Sequence, residues 1–178
     1  MKFHSTALEG VFAVDLFHAS DDRGTFVKTF HRDTFTQRGL QGRFDESYYS
    51  TNHAGVIRGM HFQLPPHEHE KIVYCTSGKL HDVLLDIRKD SPTYGQTTTV
   101  ELSGDNYRAV YIPQGIAHGF VVLEDNTCMV YLTATMYHPD SDTGIRWDSF
   151  DYDWPAENPI VSARDQSFLG LSEFKSPF

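Results

Sequence analysis

The stretch 55–88 reads GVIRGMHFQLPPHEHEKIVYCTSGKLHDVLLDIR and carries the features that decide the fold. Apolar residues dominate three segments of it: 56–62, 71–75 and 80–88. Turn-forming residues separate these segments, first Pro65-Pro66 and then Gly78. Short apolar segments between turn residues are typical of β-strands. We therefore predict three consecutive strands here, which bring charged side chains toward a predicted core.

Those charged side chains divide into two groups. One group fits a half-exposed sheet whose polar side chains face water: Lys79, His81, Asp86 and Arg88. The other group, Arg58, His61 and Lys71, lies where no regular alternation runs through the sequence. Because burying an unpaired charge is costly, we expect these three to converge on a functional cavity. Arg58 and His61 would face opposite sides of a regular strand, so a shared site requires a β-bulge near Gly59.

Length and composition favour one all-β domain spanning residues 1–178. The chain has 13 Phe and 9 Tyr, its Gly and Pro are spread throughout, and no long helical periodicity is visible. Further strands are predicted at 11–17, 25–30, 46–52, 96–102, 107–113, 117–123 and 128–137. A short helix is predicted within 31–42, and the tail from 140 to 178 is expected to wrap the body. Strands at this spacing indicate a sandwich or barrel.

Charge and cysteine content limit the possible partners and compartment. The net charge of -9 argues against a nucleic-acid partner, because no basic face is available to neutralise phosphates. Cys75 and Cys128 both lie in apolar segments and are expected to be reduced thiols. Neither a signal peptide nor a membrane-spanning stretch is visible, so we expect a cytoplasmic protein without a membrane partner.

The segment 113–118, PQGIAH, has the PxGxxH form of the second cupin motif. Metal-dependent cupins use that histidine together with an HxH pair and a carboxylate. Here His67-Glu68-His69 supplies the HxH, but the carboxylate is missing downstream, and the loop after Pro65-Pro66 is expected to be exposed. A catalytic metal normally needs three or four converging ligands. We expect no metal, and keep a metal-dependent cupin enzyme using His67, His69 and His118 as an alternative.

Ordered motifs along nearly the whole chain carry a family resemblance. They are RGTF (23–26), GVIRGMHFQLPP (55–66), Lys71, GKLHDVLLDIRKDSPTYG (78–95), YIPQGIAHGF (111–120), Tyr131, YHP (137–139), IRWD (145–148), WP (154–155) and SARD (162–165). Together they resemble the dTDP-4-dehydrorhamnose 3,5-epimerase family, a metal-independent cupin family. The resemblance implies a jelly-roll barrel, no cofactor, and a homodimer formed by strand exchange.

The resemblance also implies a substrate and a set of catalytic residues. The substrate is a nucleotide-linked 4-keto-6-deoxy sugar, whose C3 and C5 hydrogens are acidified by the C4 ketone. His61 matches the base, with Asp165 fixing its tautomer. Lys71 would stabilise the enolate oxygen, and Tyr131 would return a proton from the opposite face.

Further residues match substrate-binding positions of the family. Arg58 corresponds to a diphosphate contact, and Arg23 would reach the diphosphate bound in the neighbouring subunit. Other matches are Phe26 beside Arg23, Asp82 and His118 near the sugar, and Arg164 of the SARD motif. These roles are implied by the resemblance, and the same residues serve inversion at C3 alone or at both carbons.

Departures from the family pattern lie where the nucleotide base would be bound. Lys28 replaces the usual Glu, Glu46 replaces the usual Gln, and Tyr48 stands where a small amide is usual, whereas Ser50 is kept. Lys28 only donates hydrogen bonds and an ionised Glu46 only accepts them. This reversal favours a GDP- or CDP-linked sugar over a dTDP-linked one. The alternative is that Lys28 and Glu46 pair with each other and thymine is held by stacking.

Other functions remain open at this point. A 3,4-ketoisomerase on a related cupin scaffold would move the ketone instead of inverting a carbon. A catalytically silent sugar-nucleotide binding module is disfavoured by the presence of His61, Lys71, Tyr131 and Asp165 together.

Overall fold

Fourteen strands and two short helices make up the fold in a computed structural model that describes all residues, 1–178. The strands are β1 (Lys2–Ser5), β2 (Phe12–Asp15), β3 (Phe17–Asp21), β4 (Gly24–Lys28), β5 (Glu46–Asn52), β6 (Val56–Gln63), β7 (Lys71–Ser77), β8 (Lys79–Asp86), β9 (Thr97–Ser103), β10 (Arg108–Ile112), β11 (Ile116–Val122), β12 (Thr127–Thr133), β13 (Asp142–Gly144) and β14 (Ile160–Val161). The helices are α1 (Arg32–Thr36) and α2 (Ala163–Gln166). Neither helix has the length and apolar character needed to cross a membrane.

The strands form two large sheets and one separate ribbon. Sheet 1 has the order β1-β2-β10-β7-β12-β5. Sheet 2 has the order β13-β6-β11-β8-β9, and β14 joins β6 in parallel. Strands β3 and β4 pair only with each other and form the ribbon. This all-β, cupin-type jelly-roll architecture confirms the predicted fold class.

The main core lies between the two large sheets. Fifteen buried residues form one apolar cluster there. Val73 and Met129 come from sheet 1, while Leu84 and Phe120 come from sheet 2. Each such side chain contributes about 1.5–3 kcal/mol when fully buried. The two sheets are thus held face to face, and the polar cavity described below opens between them.

Most of the predicted strands are confirmed within one or two residues, and the exceptions have local causes. The single strand predicted at 11–17 is instead split into β2 and β3, because the chain changes partner there: β2 pairs with β10, whereas β3 pairs with β4. The strand predicted to reach Tyr137 ends at Thr133. Strand β1 was not predicted, because Phe3 is its only apolar residue and its other three residues are polar and exposed.

The C-terminal tail covers the outer face of sheet 2, as predicted. A second buried cluster on that face includes Met60, Val83 and Leu85. Tail residues that pack against it are Phe150, Tyr152, Trp154, Leu171, Phe174 and Phe178. The tail therefore provides the layer that keeps sheet 2 away from water on its outer side.

Asp86 corrects the prediction of an exposed sheet. Its side chain is completely buried, and its two carboxylate oxygens accept hydrogen bonds from Arg88, Ser91 and Thr93. Burial opposes ionisation, but these donors outweigh it and lower the Asp86 pKa to about 2. By contrast, Lys79 is half-exposed and lies 3.5 Å from Glu101, as expected for a polar outer position.

The bulge predicted near Gly59 is confirmed by the pairing of β6 with β11. His61 lies opposite His118, and Arg58 lies opposite Phe120. Arg58 and His61 are three residues apart on β6, whereas their partners on β11 are only two residues apart. Strand β6 therefore contains one extra residue. This irregularity brings Arg58 and His61 to the same cavity despite their opposite parity.

Glycine is required at the bulge for two reasons. First, Gly59 has φ +145°, a backbone angle that residues with a side chain rarely adopt. Second, a Cβ added at Gly59 would lie 2.6 Å from the Gly119 Cα. The close backbone approach between β6 and β11 thus depends on both glycines.

Candidate active site

A polar cavity of about 420 Å³ opens between the two sheets. Nine residues predicted from the sequence line it: Glu46, Tyr48, Ser50, Arg58, His61, Lys71, His118, Tyr131 and Arg164. Five further lining residues were not assigned a role from the sequence: Gln63, Phe120, Thr133, Tyr137 and Asp142. The remaining one, His69, belongs to the metal-dependent alternative. Only four of the fifteen lining residues are hydrophobic, so the cavity suits a polar ligand.

His61 on β6 is joined to Asp165 on α2. The His61 Nε2 and Asp165 Oδ1 atoms are 2.9 Å apart, and Asp165 Oδ2 accepts the Gly59 N–H at 3.1 Å. Burial opposes ionisation of Asp165, but the bonds from His61 and Gly59 outweigh it and lower the Asp165 pKa. An ionised Asp165 accepts the Nε2 proton of His61. Nδ1 is then the basic nitrogen of the ring.

Lys71 on β7 is a buried cation in the wall formed by sheet 1. Its Nζ donates to the backbone carbonyl of His61 at 3.4 Å. Burial lowers the Lys71 pKa to about 8, although Asp142 and Asp82 partly oppose this shift. A buried ammonium beside the cavity can stabilise negative charge that develops on a bound ligand.

Tyr131 on β12 lines the cavity from the sheet that faces His61. It is buried, and burial raises the pKa of its phenol above the ordinary value. Its hydroxyl lies 3.5 Å from the Ser50 Oγ, and its ring stacks on that of Tyr48 with the centroids 4.6 Å apart. The phenol is therefore protonated at neutral pH and can donate a proton or a hydrogen bond.

His118 and Asp82 form a second buried pair. The His118 Nε2 and Asp82 Oδ1 atoms are 2.6 Å apart on the neighbouring strands β11 and β8. His118 lines the cavity, whereas Asp82 is completely buried and is not among the lining residues. Burial raises the Asp82 pKa, and the contact with His118 opposes that shift. Asp82 thus acts behind the cavity wall, where it orients His118.

Two arginines lie at the edge of the cavity. Arg58 donates from Nε to the Oδ1 of the buried Asn52 at 2.8 Å, which fixes its guanidinium group. Arg164 pairs with Asp142 at 2.5 Å and lies over the ring of Phe168, which in turn meets His61 edge-on. Asn52 and Asp142 were missed in the sequence because neither belongs to a motif with a recognised role.

The predicted substrate-binding residues on the ribbon lie outside the cavity of their own chain. Arg23 pairs with Asp21 at 2.6 Å, Phe26 is exposed, and Lys28 lies over the Phe17 ring. Within the chain, Lys28 does not pair with Glu46, whose Oε2 instead accepts the Tyr137 N–H at 2.6 Å. The polar and aromatic side chains of the ribbon are therefore exposed on the surface of the chain.

The histidines of the metal-dependent alternative do not converge. His67 stacks on His138 with ring centroids 3.7 Å apart, whereas His69 Nδ1 meets the Thr135 Oγ1 at 2.8 Å. Burial and the nearby positive charge of Lys71 lower the His69 pKa to about 3. No three His, Cys, Asp or Glu side chains are grouped to hold a metal ion, so the residues do not fit a cupin metal site. The loop is half-buried, which corrects its predicted exposure.

Comparisons with known proteins identify the family of this chain. The family model described as dTDP-4-dehydrorhamnose 3,5-epimerase matches residues 5–173. The chain is 39% identical over 177 residues to the dTDP-4-dehydrorhamnose 3,5-epimerase of Methanothermobacter thermautotrophicus, covering 97% of this chain and 95% of that protein. It is 35% identical over 176 residues to the dTDP-4-dehydrorhamnose 3-epimerase of Streptomyces niveus, covering 97% and 85%.

A solved structure is similar throughout. The dTDP-6-deoxy-D-glucose-3,5-epimerase of Legionella pneumophila Philadelphia 1, in complex with dTDP-4-keto-L-rhamnose, matches with a TM-score of 0.93 and 32% identity. The match covers 98% of this chain and 94% of that one. The chain therefore belongs to the dTDP-4-dehydrorhamnose 3,5-epimerase family, a family of isomerases, as its ordered motifs predicted.

Proposed function

We propose that this protein inverts C3, C5 or both carbons of a nucleotide-linked 4-keto-6-deoxy sugar, a step of deoxysugar biosynthesis. One observation carries the proposal: His61, paired with Asp165, and Tyr131 line one cavity from facing sheets. The similar Legionella structure, which contains dTDP-4-keto-L-rhamnose, supports a ligand of this class. Inversion requires a base on one face of a carbon and a proton donor on the other, and this pair supplies both.

His61 removes the proton in the first step. The C4 ketone acidifies the hydrogens on C3 and C5, and the Nδ1 of His61 accepts one of them as the C–H bond breaks. Its electron pair moves into the enolate. Asp165 accepts a hydrogen bond from Nε2–H throughout, and it stabilises the imidazolium that forms.

Lys71 stabilises the enolate oxygen. The buried ammonium is already in place before the negative charge develops, so little reorganisation is needed during the reaction. Its lowered pKa also means that the charged form is lost at moderately alkaline pH.

Tyr131 returns the proton. The phenol O–H breaks as the new C–H bond forms on the face opposite His61, and the phenolate recovers a proton from solvent. The raised pKa keeps the phenol protonated until this step, so that it acts as an acid. Two further residues would contact the sugar beside Tyr131: Arg164 and His118, which is oriented by Asp82.

The diphosphate and the partner subunit complete the site. Arg58 is held by Asn52 at the edge of the cavity and suits a phosphate contact. The β3–β4 ribbon is unpaired with either large sheet and exposes Phe17 and Phe26, which supports insertion into a second copy of the chain. In such a homodimer, Arg23 would reach the diphosphate bound by the partner.

The choice of nucleotide depends on Glu46 and Lys28. The relatives named above are dTDP-sugar enzymes, so dTDP-linked sugars are the first substrates to test. In this chain Glu46 lines the cavity. Lys28 lies on the ribbon and would enter the cavity of the other subunit in the homodimer. Guanine and cytosine offer both a carbonyl for Lys28 and N–H donors for Glu46. GDP- or CDP-linked sugars therefore fit this pair better than thymidine compounds.

Product analysis by NMR tests the function and separates it from its rivals. An epimerase leaves the ketone at C4 and inverts a neighbouring carbon, whereas a 3,4-ketoisomerase moves the ketone to C3. We expect the first product from dTDP-, GDP- or CDP-linked 4-keto-6-deoxy sugars. Metal analysis of the purified active enzyme addresses the cupin alternative that uses His67, His69 and His118, and stoichiometric metal required for turnover would support that alternative.

A further inference from the structure

Tyr48 and Tyr131 form a stacked pair across two neighbouring strands. The residues lie directly opposite each other in the β5–β12 ladder. Their ring centroids are 4.6 Å apart and the planes differ by only 17°. Tyr131 is 7% exposed and Tyr48 is 43% exposed, so the outer ring covers the inner one.

The hydroxyl of Tyr131 has little else to fix its direction. Its one hydrogen-bond partner within the chain is the Ser50 Oγ at 3.5 Å, the outer limit of such a contact. On another side, the His118 ring meets the Tyr131 ring edge-on at 6.2 Å. The orientation of the phenol therefore depends mainly on ring contacts, and Tyr48 makes the closest of them.

We propose that Tyr48 is a positioning residue for Tyr131, and that its stacked ring aims the phenol hydroxyl at the face of the enolate opposite His61. This inference rests on the proposed epimerase function. The sequence placed Tyr48 at the nucleotide base. The role proposed here is different, because it depends on the face of the Tyr48 ring that packs against Tyr131.

The fate of the transferred proton in D₂O tests how Tyr131 is oriented. In D₂O the proton taken by His61 exchanges with solvent before it is returned. An enolate that receives its deuteron from Tyr131 becomes the epimer. An enolate that receives it back from His61 becomes deuterated substrate of unchanged configuration. The ratio of epimer formed to substrate exchanged thus measures how well Tyr131 is aimed.

The experiment compares this ratio by NMR in wild type, Tyr48→Ala, Tyr48→Phe and Tyr49→Ala, using a 4-keto-6-deoxy sugar nucleotide that wild type converts. Tyr48→Ala is expected to lower the ratio about tenfold, since loss of a ring contact displaces the donor. Tyr48→Phe retains the stacked ring and is expected to keep the ratio. Tyr49→Ala is the matched control, because Tyr49 adjoins Tyr48 but is 71% exposed and lies outside the cavity.

Two results would overturn the inference. The first is an unchanged ratio in Tyr48→Ala with a raised KM, which would indicate a nucleotide contact alone. The second is an equal fall in Tyr48→Ala and Tyr48→Phe, which would assign the effect to the hydroxyl. Tyr48→Leu, which keeps bulk without the ring plane, provides the same comparison if the alanine variant does not fold. Failure of wild type to exchange or epimerise any such substrate would instead contradict the proposed function.

Discussion

His61 and Asp165 are separated by 104 residues in the chain but joined by a 2.9 Å hydrogen bond. The bulge at Gly59 turns His61 toward the cavity, and the Gly59 N–H binds the second oxygen of Asp165. Ser162 caps α2 by accepting the Asp165 N–H, which fixes the start of that helix. The same carboxylate therefore orients the proposed base and stabilises the irregular strand that carries it.

Asp165→Asn is expected to remove most activity while the protein stays folded. The amide oxygen can still accept the Gly59 N–H, but the amide nitrogen would donate to His61 Nε2 and so move the ring proton to Nδ1. The base would then be blocked, and we expect a loss in kcat of about 10²–10⁴-fold, with a similar loss in His61→Ala. Steady-state kinetics measures the loss, and circular dichroism checks the fold. Substantial turnover by His61→Ala at saturating substrate would contradict the assignment.

Lys71 should set an alkaline limit on activity. Its pKa is about 8, so the ammonium is present below that pH and is lost as the pH rises through it. We expect kcat/KM to fall above about pH 8, because only the charged form stabilises the enolate oxygen. Lys71→Arg stays charged throughout and provides the control, since its residual activity should lack this limb. An identical alkaline limb in that variant would assign the titration to another group.

Arg23 should contribute to binding across a dimer interface. Its side chain is 89% exposed and lies outside the cavity of its own chain. We expect sedimentation to show a dimer, and Arg23→Ala to raise KM more than it lowers kcat, because a remote phosphate contact acts mainly on uniform binding. Arg32→Ala, at another exposed arginine, is the control. A fully active monomer would exclude this arrangement.

Nucleotide preference tests the role of Lys28 and Glu46. We expect kcat/KM for a GDP- or CDP-linked 4-keto-6-deoxy sugar to exceed that for the dTDP compound, because a site discriminates against a base that leaves its polar groups unpaired. The double variant Lys28→Glu, Glu46→Gln should shift the preference toward dTDP. The glutamine oxygen can still accept the Tyr137 N–H, so local structure is preserved. A clear wild-type preference for the dTDP compound would show that the base argument is wrong.

Much of the fold and of the cavity could be predicted from local sequence signals. The bulge at Gly59 follows from the opposite parity of Arg58 and His61, and it is present. The exposed-sheet prediction for Asp86 was wrong, because its partners Ser91 and Thr93 belong to the following turn and no strand periodicity indicates them.

Other features depended on contacts that periodicity does not encode. The stack of Tyr48 on Tyr131 requires the β5–β12 register, which joins segments about 80 residues apart and cannot be read from either segment alone. The contact of Asp82 with His118 likewise depends on the pairing of β8 with β11.

Deuterium incorporation tests the central claim most directly. Purified protein is incubated in D₂O with dTDP-, GDP- and CDP-linked 4-keto-6-deoxy sugars, and NMR follows the C3 and C5 hydrogens. We expect wild type to replace hydrogen by deuterium at C3, C5 or both, with inversion at the same carbon and the ketone retained at C4. We expect His61→Ala to show neither change. Inversion without deuterium uptake, or exchange that persists undiminished in His61→Ala, would contradict the claim.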